Sequence, residues 1–192
     1  TAARFAQSQL AAEQVAAAGY VAIGLDHFAK PADALSRAFC DGRLRRNFQG
    51  YTVDEADALI GLGASAVGRL PQGYVQDLAA AGQYERAVAD GGLAVARGIA
   101  FTLDDRVRGF VIERLMCEFA FSGAELRDRF GDASSTVLHE AECLAAEEQE
   151  ELFLRDGDTF RVTERGRPLV RTLAARFDAH LGRNNTRNSA AI

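Results

Sequence analysis

No apolar run in this 192-residue sequence approaches the roughly 20 residues needed to cross a bilayer. The first residues, Thr1-Ala2-Ala3-Arg4-Phe5, lack the apolar core and cleavage site of a secretory signal. An initiating methionine is missing too, so a fragment of a longer protein is expected. Cysteine is scarce, limited to Cys40, Cys117 and Cys143. Their spacings match no zinc or iron–sulfur pattern, and an odd number argues against a disulfide framework. Cys117 and Cys143 fall in apolar helical patterns and read as buried small hydrophobes; Cys40 takes no role. A reducing, cytoplasmic setting is the expectation. An excess of positive charge is also absent. With 22 basic against 27 acidic residues the formal charge is −5. That balance gives no electrostatic footprint for nucleic acid and no basic belt for a membrane surface. Neither a P-loop nor a Ser/His/Asp constellation occurs.

What is present is a hydrophobic content of 48%, enough for one ordinary domain or two small ones and too much for general disorder. Residues 1–18 read as an alanine-rich helix ended by Gly19. Tyr20 to Leu25 then reads as a short strand buried on both faces, a unit of an α/β barrel or open sheet whose partner strands lie upstream. Pro31 to Asn47 gives a helix and a basic loop, and Leu59 to Val67 a glycine-rich strand. From Asp77 the pattern turns helical. Asp77 is expected to cap a helix to about Ala89, stopped by Gly91-Gly92. Asp104-Asp105 opens a stronger helix with Val107, Val111, Leu115 and Phe119 on one face.

Ser122 and Glu125 have capping-box spacing, which starts a short helix that ends near Gly131. Another helix is expected over Thr136 to Glu151, with Val137, Ala141 and Leu144 inward. Leu152–Arg155 and Thr159–Val162 follow as strands joined through Asp156-Gly157-Asp158, a strong hairpin signal. A last helix starts at Thr163 or Pro168 and carries Leu169, Leu173, Phe177 and Leu181. The tail after Gly182 is polar and expected to fray.

Gly61-Leu62-Gly63-Ala64-Ser65-Ala66 fits the dinucleotide fingerprint G-x-G-x-x-A, but Gly68 and Pro71 interrupt the helix that would have to hold a pyrophosphate. The sequence leaves open whether the glycines admit a ligand or only pack small residues tightly. Helix, helix and hairpin from Ser122 to Val162 follow the order of a winged helix. Its third helix is acidic, so a structural cover is the reading rather than a DNA-binding one. His27 beside Asp26 suits proton transfer or a metal, yet no second His or Cys cluster supports a metal, and loop anchoring is the default. Arg43, Arg45, Arg46 and Arg69 are capable of binding carboxylates bidentately.

Three blocks in order carry a family likeness: Asp26-His27-Phe28-Ala29-Lys30-Pro31, Arg46-Asn47-Phe48-Gln49-Gly50-Tyr51-Thr52 and Gly61-Leu62-Gly63-Ala64-Ser65-Ala66-Val67. With Glu113–Phe119 and Val162–Arg167, they resemble the C-terminal part of oxygen-independent coproporphyrinogen III oxidase, a radical S-adenosylmethionine (SAM) family of haem synthesis. The resemblance implies an α+β, mainly helical chain. Residues 1–76 would be the last elements of a partial TIM-like α/β barrel with pocket-lining loops. A helical domain over 77–182 would follow, winged-helix-like from about 122, then a flexible tail over 183–192. It implies decarboxylation of two propionates of coproporphyrinogen III to give protoporphyrinogen IX, with SAM and a 4Fe–4S cluster as cofactors. The Cys-x3-Cys-x2-Cys cluster motif is missing, so the chain alone is expected to be inactive. Phe48, Gln49 and Val67 match SAM-pocket positions of the family; Val67 stands where isoleucine is frequent. Arg46 is the candidate for a substrate propionate. The partners implied are the porphyrinogen and SAM, with no nucleic acid or membrane, in a monomer. A winged-helix regulatory module and a related radical SAM haem-handling protein are the alternatives.

Overall fold

The computed structural model describes residues 2–181. Those residues form a mixed α+β structure of helices and small antiparallel sheets. The chain divides into two compact units, one holding the segments up to Val53 and from Asp104, the other Asp54–Leu103. Residues 76 and 77 both lie inside one strand. The expected frayed tail lies outside the described residues.

The first unit begins with helix α1, Ala2–Ala17, which Gly19 ends at φ 84°. Strand β1, Val21–Ile23, turns back on β2, His27–Ala29, in an antiparallel hairpin. This corrects the expected strand buried on both faces: Ile23 is buried, Ala22 exposed. Helix α2, Ala34–Cys40, starts where the Asp33 carboxylate accepts from the Leu35 N–H. The expected basic loop is instead strand β3, Arg45–Asn47, paired with β4, Gly50–Thr52.

The remainder of this unit follows its sequence pattern closely. Helix α4, Leu103–Glu118, buries Val107, Val111 and Leu115 completely. Ser122 caps α5, Gly123–Phe130, by accepting from the Glu125 N–H, and Gly131 ends it at φ 55°. A 3-10 turn, Gly131–Ser134, leads into α6, Ser135–Glu147, which stops short of the expected Glu151 because Glu148 is already extended. Strands β9, Phe153–Asp156, and β10, Thr159–Val162, form the expected hairpin, with Gly157 at φ 61°. A third strand, β8, Ala120–Ser122, pairs with β10 and completes the sheet order β8-β10-β9. The last helix is broken into a 3-10 turn, Arg167–Leu169, with Pro168 in its first turn, and α7, Val170–Ala175. Leu173 and Phe177 are buried, but Leu169 and Leu181 are exposed, which corrects the expected four-residue stripe.

Aromatic rings hold this core together. Phe160 stacks on Phe121 at 5.0 Å and on Phe153 at 6.2 Å, and Phe177 meets Phe121 edge-on. Arg108 joins helices by a two-pronged contact with Glu140, 2.8 Å on each prong, which holds its guanidinium charged.

The second unit is a three-stranded antiparallel sheet: β5, Val67–Leu70; β6, Gly73–Asp77; and β7, Val95–Ala100. Helix α3, Ala81–Ala89, lies between β6 and β7 in sequence. Asp77 ends β6 rather than capping that helix, whose N-terminal position is Ala80. Residues 59–66 are not the predicted strand; Leu59 makes one bridge to Arg69 and a turn follows.

Candidate functional site

The Phe48-Gln49 pair forms the tip of the β3–β4 hairpin, between the paired Asn47 and Gly50. Asn47 Oδ1 accepts from the Gln49 N–H at 2.8 Å, fixing the turn. Gly50 sits at φ 139°, and a Cβ there would come within 2.9 Å of His27 Nε2. Only glycine suits that crowded, left-handed position. Phe48 is 54% exposed and Gln49 is exposed, so the hairpin offers a ring and a neutral amide outward.

Tyr51 anchors this tip, and the sequence blocks did not single out its role. Its ring is buried; its hydroxyl accepts from the Leu25 N–H at 2.9 Å and donates to the Met116 carbonyl at 2.8 Å. Burial pushes the phenol above its ordinary value, keeping it a donor. Gly24, at φ 56°, makes room: a Cβ there would overlap the Tyr51 ring at 2.1 Å. The His27 ring packs edge-on against Tyr51 at 5.0 Å, and His27 Nδ1 meets Asp26 Oδ1 at 2.8 Å. His27 thus anchors the hairpin, in agreement with its default reading. Arg46, exposed on β3, lies over the Tyr51 ring at 5.8 Å. Arg45 pairs with Glu113 at 3.5 Å and Arg43 with Asp41 at 2.9 Å. A glycine with positive φ facing an isolated tyrosine is a weak signal in sequence, because the two are 26 residues or more from their partners.

Val67 belongs to the other unit, half-buried at the start of β5. Before it, Gly63 at φ 111° and Ser65 at φ 61° make the turn, and the Gly63 N–H donates to the Tyr84 hydroxyl at 3.1 Å. No helix follows this turn, since β5 does, so the dinucleotide fingerprint lacks its phosphate-binding helix end. A Cβ on Gly61 would press on the Val67 backbone, and one on Gly68 on the Leu59 carbonyl, each at 3.0 Å. Tight backbone packing therefore accounts for these two glycines. Register places Val67 opposite Gln76, and Gln76 opposite Arg97. Arg97 Nε donates to Gln76 Oε1 at 2.8 Å, and Gln76 Nε2 donates to the Ser65 carbonyl at 3.2 Å. Neither Gln76 nor Arg97 stood out in the sequence.

Cys117 is buried, and burial with Glu113 nearby pushes its thiol up to about 12. Cys40 is exposed; Cys143, expected to be buried, is only half-buried, with its Sγ 3.7 Å from His139 Nε2. Among the described residues no group of three or more His, Cys, Asp or Glu could hold a metal. Three thiols so scattered in the fold do not fit an iron–sulfur cluster. No helix among the described residues is long and apolar enough to cross a membrane.

Residues 101–169 match the family described as the HemN C-terminal domain. An oxygen-independent coproporphyrinogen III oxidase of Bradyrhizobium diazoefficiens is 44% identical over 99% of this chain and 42% of its own length. The enzyme of that name from Salmonella typhimurium is 38% identical over 85% of this chain and 36% of its own length. Among solved structures, coproporphyrinogen III oxidase (HemN) from Escherichia coli, a radical SAM enzyme, matches with a TM-score of 0.82 and 35% identity. That match covers 90% of this chain and 40% of the Escherichia coli chain. The chain spans about two fifths of the length of these relatives, 42% in the Bradyrhizobium case. It is homologous to the C-terminal part of oxygen-independent coproporphyrinogen III oxidase.

Proposed function

We propose that this chain is the C-terminal part of an enzyme that oxidatively decarboxylates two propionates of coproporphyrinogen III to give protoporphyrinogen IX in haem biosynthesis. The observation that supports it best is the collinear match, 44% identity over 99% of the chain, joined to a shared fold at 35% identity and a TM-score of 0.82. On this reading the segments up to about residue 76 belong with the end of the radical SAM barrel and its pocket loops. The rest forms the C-terminal domain, whose winged helix is a structural cover. In the whole enzyme, SAM and a 4Fe–4S cluster would supply the radical chemistry that the decarboxylation of propionates needs. Cysteines outside this sequence hold the cluster, so this chain alone is inactive.

The chain's own residues then bind and orient. Gln49 offers both a donor and an acceptor to a polar group of SAM, and Phe48 beside it offers a ring face. Val67, set between backbone packed tightly by Gly61 and Gly68, gives an apolar wall to the nucleoside. Arg46 presents a guanidinium to a substrate propionate from above the Tyr51 ring. Radical chemistry needs the hydrogen donor held within van der Waals reach, so slight misplacement costs rate more than fold.

Gln49→Ala and Val67→Asp in a full-length enzyme carrying this sequence are expected to keep the iron content. Each should lower porphyrinogen turnover at least about tenfold, roughly 1.4 kcal/mol of barrier. Near-normal turnover in both variants would overturn the pocket assignment.

A further inference from the structure

Directly paired residues on antiparallel strands project from the same face of a sheet. Val67, Gln76 and Arg97 therefore form one row across β5, β6 and β7, and Arg69, Tyr74 and Ile99 form the neighbouring row on that face. The face that carries Val67 thus also carries two guanidinium groups. Several arginines of the other unit are paired with carboxylates: Arg108 with Glu140 at 2.8 Å, Arg114 with Glu125 at 2.7 Å and Arg127 with Asp158 at 2.5 Å. Neither Arg69 nor Arg97 meets a carboxylate among the described residues.

Arg97 is held by a neutral amide instead. Gln76 accepts from Nε at 2.8 Å and is itself tied to the Ser65 carbonyl at 3.2 Å. This arrangement fixes the guanidinium plane while leaving its charge uncompensated. With Nε engaged, the two terminal nitrogens form the end-on fork that matches a carboxylate's two oxygens. We propose that Arg97, oriented by Gln76, receives a carboxylate of the ligand that lies against Val67, with Arg69 adding charge from the next row. The site rests on the function proposed above. That function offers two sources of the carboxylate, the aminoacyl group of SAM and a propionate of the porphyrinogen.

The test uses a full-length enzyme carrying this sequence, with Arg97→Ala, Arg97→Lys and Gln76→Leu. Binding of SAM is compared with that of 5′-methylthioadenosine, which lacks the carboxylate, and KM is measured for coproporphyrinogen III. If SAM is the source, Arg97→Ala weakens SAM at least about tenfold and leaves 5′-methylthioadenosine and the porphyrinogen KM unchanged. If a propionate is the source, the porphyrinogen KM rises by a similar factor and SAM binding holds. In either case Arg97→Lys recovers part of the loss, and Gln76→Leu moves the same constant in the same direction. The proposal is overturned if Arg97→Ala alters neither ligand, as for a solvated surface arginine. A parallel loss of SAM and 5′-methylthioadenosine overturns it equally. A wild-type protein that neither binds SAM nor converts the porphyrinogen refutes the function itself, whereas an active wild type with an unaltered Arg97→Ala refutes only this site.

Discussion

The two units are ordered by different means. In the unit that contains the β8-β10-β9 sheet, Phe153, Phe160 and Phe177 are each no more than 1% exposed, and side chains from helices and hairpin meet around them. Between Asp54 and Leu103 the buried positions are Gly68, Gly73 and Ala94. Large apolar residues there lie open, Leu62 at 87% and Leu93 at 90% exposed. That unit is held by strand pairing and by backbones brought close at glycines; a Cβ on Gly73 would lie 2.0 Å from the Ile99 carbonyl oxygen. Burial of apolar area is the main favourable term in folding. A region without it sits at the low end of local stability, where binding faces and mobile elements are commonly drawn from. The difference separates a unit built around buried aromatic rings from one whose sheet leaves Arg97 exposed and Val67 and Gln76 half-buried.

The most direct way to break this comparison is to truncate one large side chain in each unit. Phe160→Ala removes a ring that contacts Phe121 and Phe153, at an expected cost of about 3–5 kcal/mol. Leu93→Ala, at a position 90% exposed, should stay within about 0.5 kcal/mol. Amide hydrogen exchange reads the two units separately. Equal costs would mean that the second unit has a core after all.

How legible each unit was in the sequence follows the same division. Val107, Val111 and Leu115 announced α4 by their spacing, Ser122 and Gly131 marked the ends of α5, and Asp156-Gly157 marked the hairpin. These signals are local, set within a turn or two of chain. The sheet of the second unit gave none. Every residue of β7 is exposed, so it has no alternation of buried and open positions to read, and Gly98 lowers its strand propensity further. The hairpins β1–β2 and β3–β4 were hidden for a related reason, each strand being three residues long. As for the site, Phe48, Gln49 and Val67 were reached through family likeness. The Gln76–Arg97 pair needed strand register, because 21 residues separate the two. Tyr51 needed the fold, since its acceptor on Met116 is 65 residues away.

That long-range link sharpens the comparison within the first unit. Tyr51→Phe keeps the ring but leaves the Leu25 N–H and the buried Met116 carbonyl without their shared partner. The expected loss is about 1–3 kcal/mol, measured by denaturant unfolding. It should be accompanied by faster amide exchange in β3 and β4 and little change in β5 to β7. A loss confined to the second unit would contradict the anchoring role.

The smallest expected effect is a dependence on alkaline pH that only the cored unit should display. Cys117 is buried in the first unit, and the folded protein holds its proton up to about 12, against 9.0 for a free thiol. The unfolded chain therefore releases that proton first, and above that point it binds fewer protons than the native state. Stability contributed by the thiol is fully present below pH 9.0 and is lost as pH rises toward about 12. Tyr51, raised from 10.0 by burial, acts in the same direction at higher pH. One proton limits the slope to about 1.4 kcal/mol per pH unit, and near pH 10 the loss should be on the order of 1 kcal/mol. Cys117→Ala should flatten the decline between pH 9 and 10 while shifting stability little at pH 7. An unchanged alkaline decline in Cys117→Ala would mean that other groups carry it, and that the thiol is not held by the core in the way its burial implies.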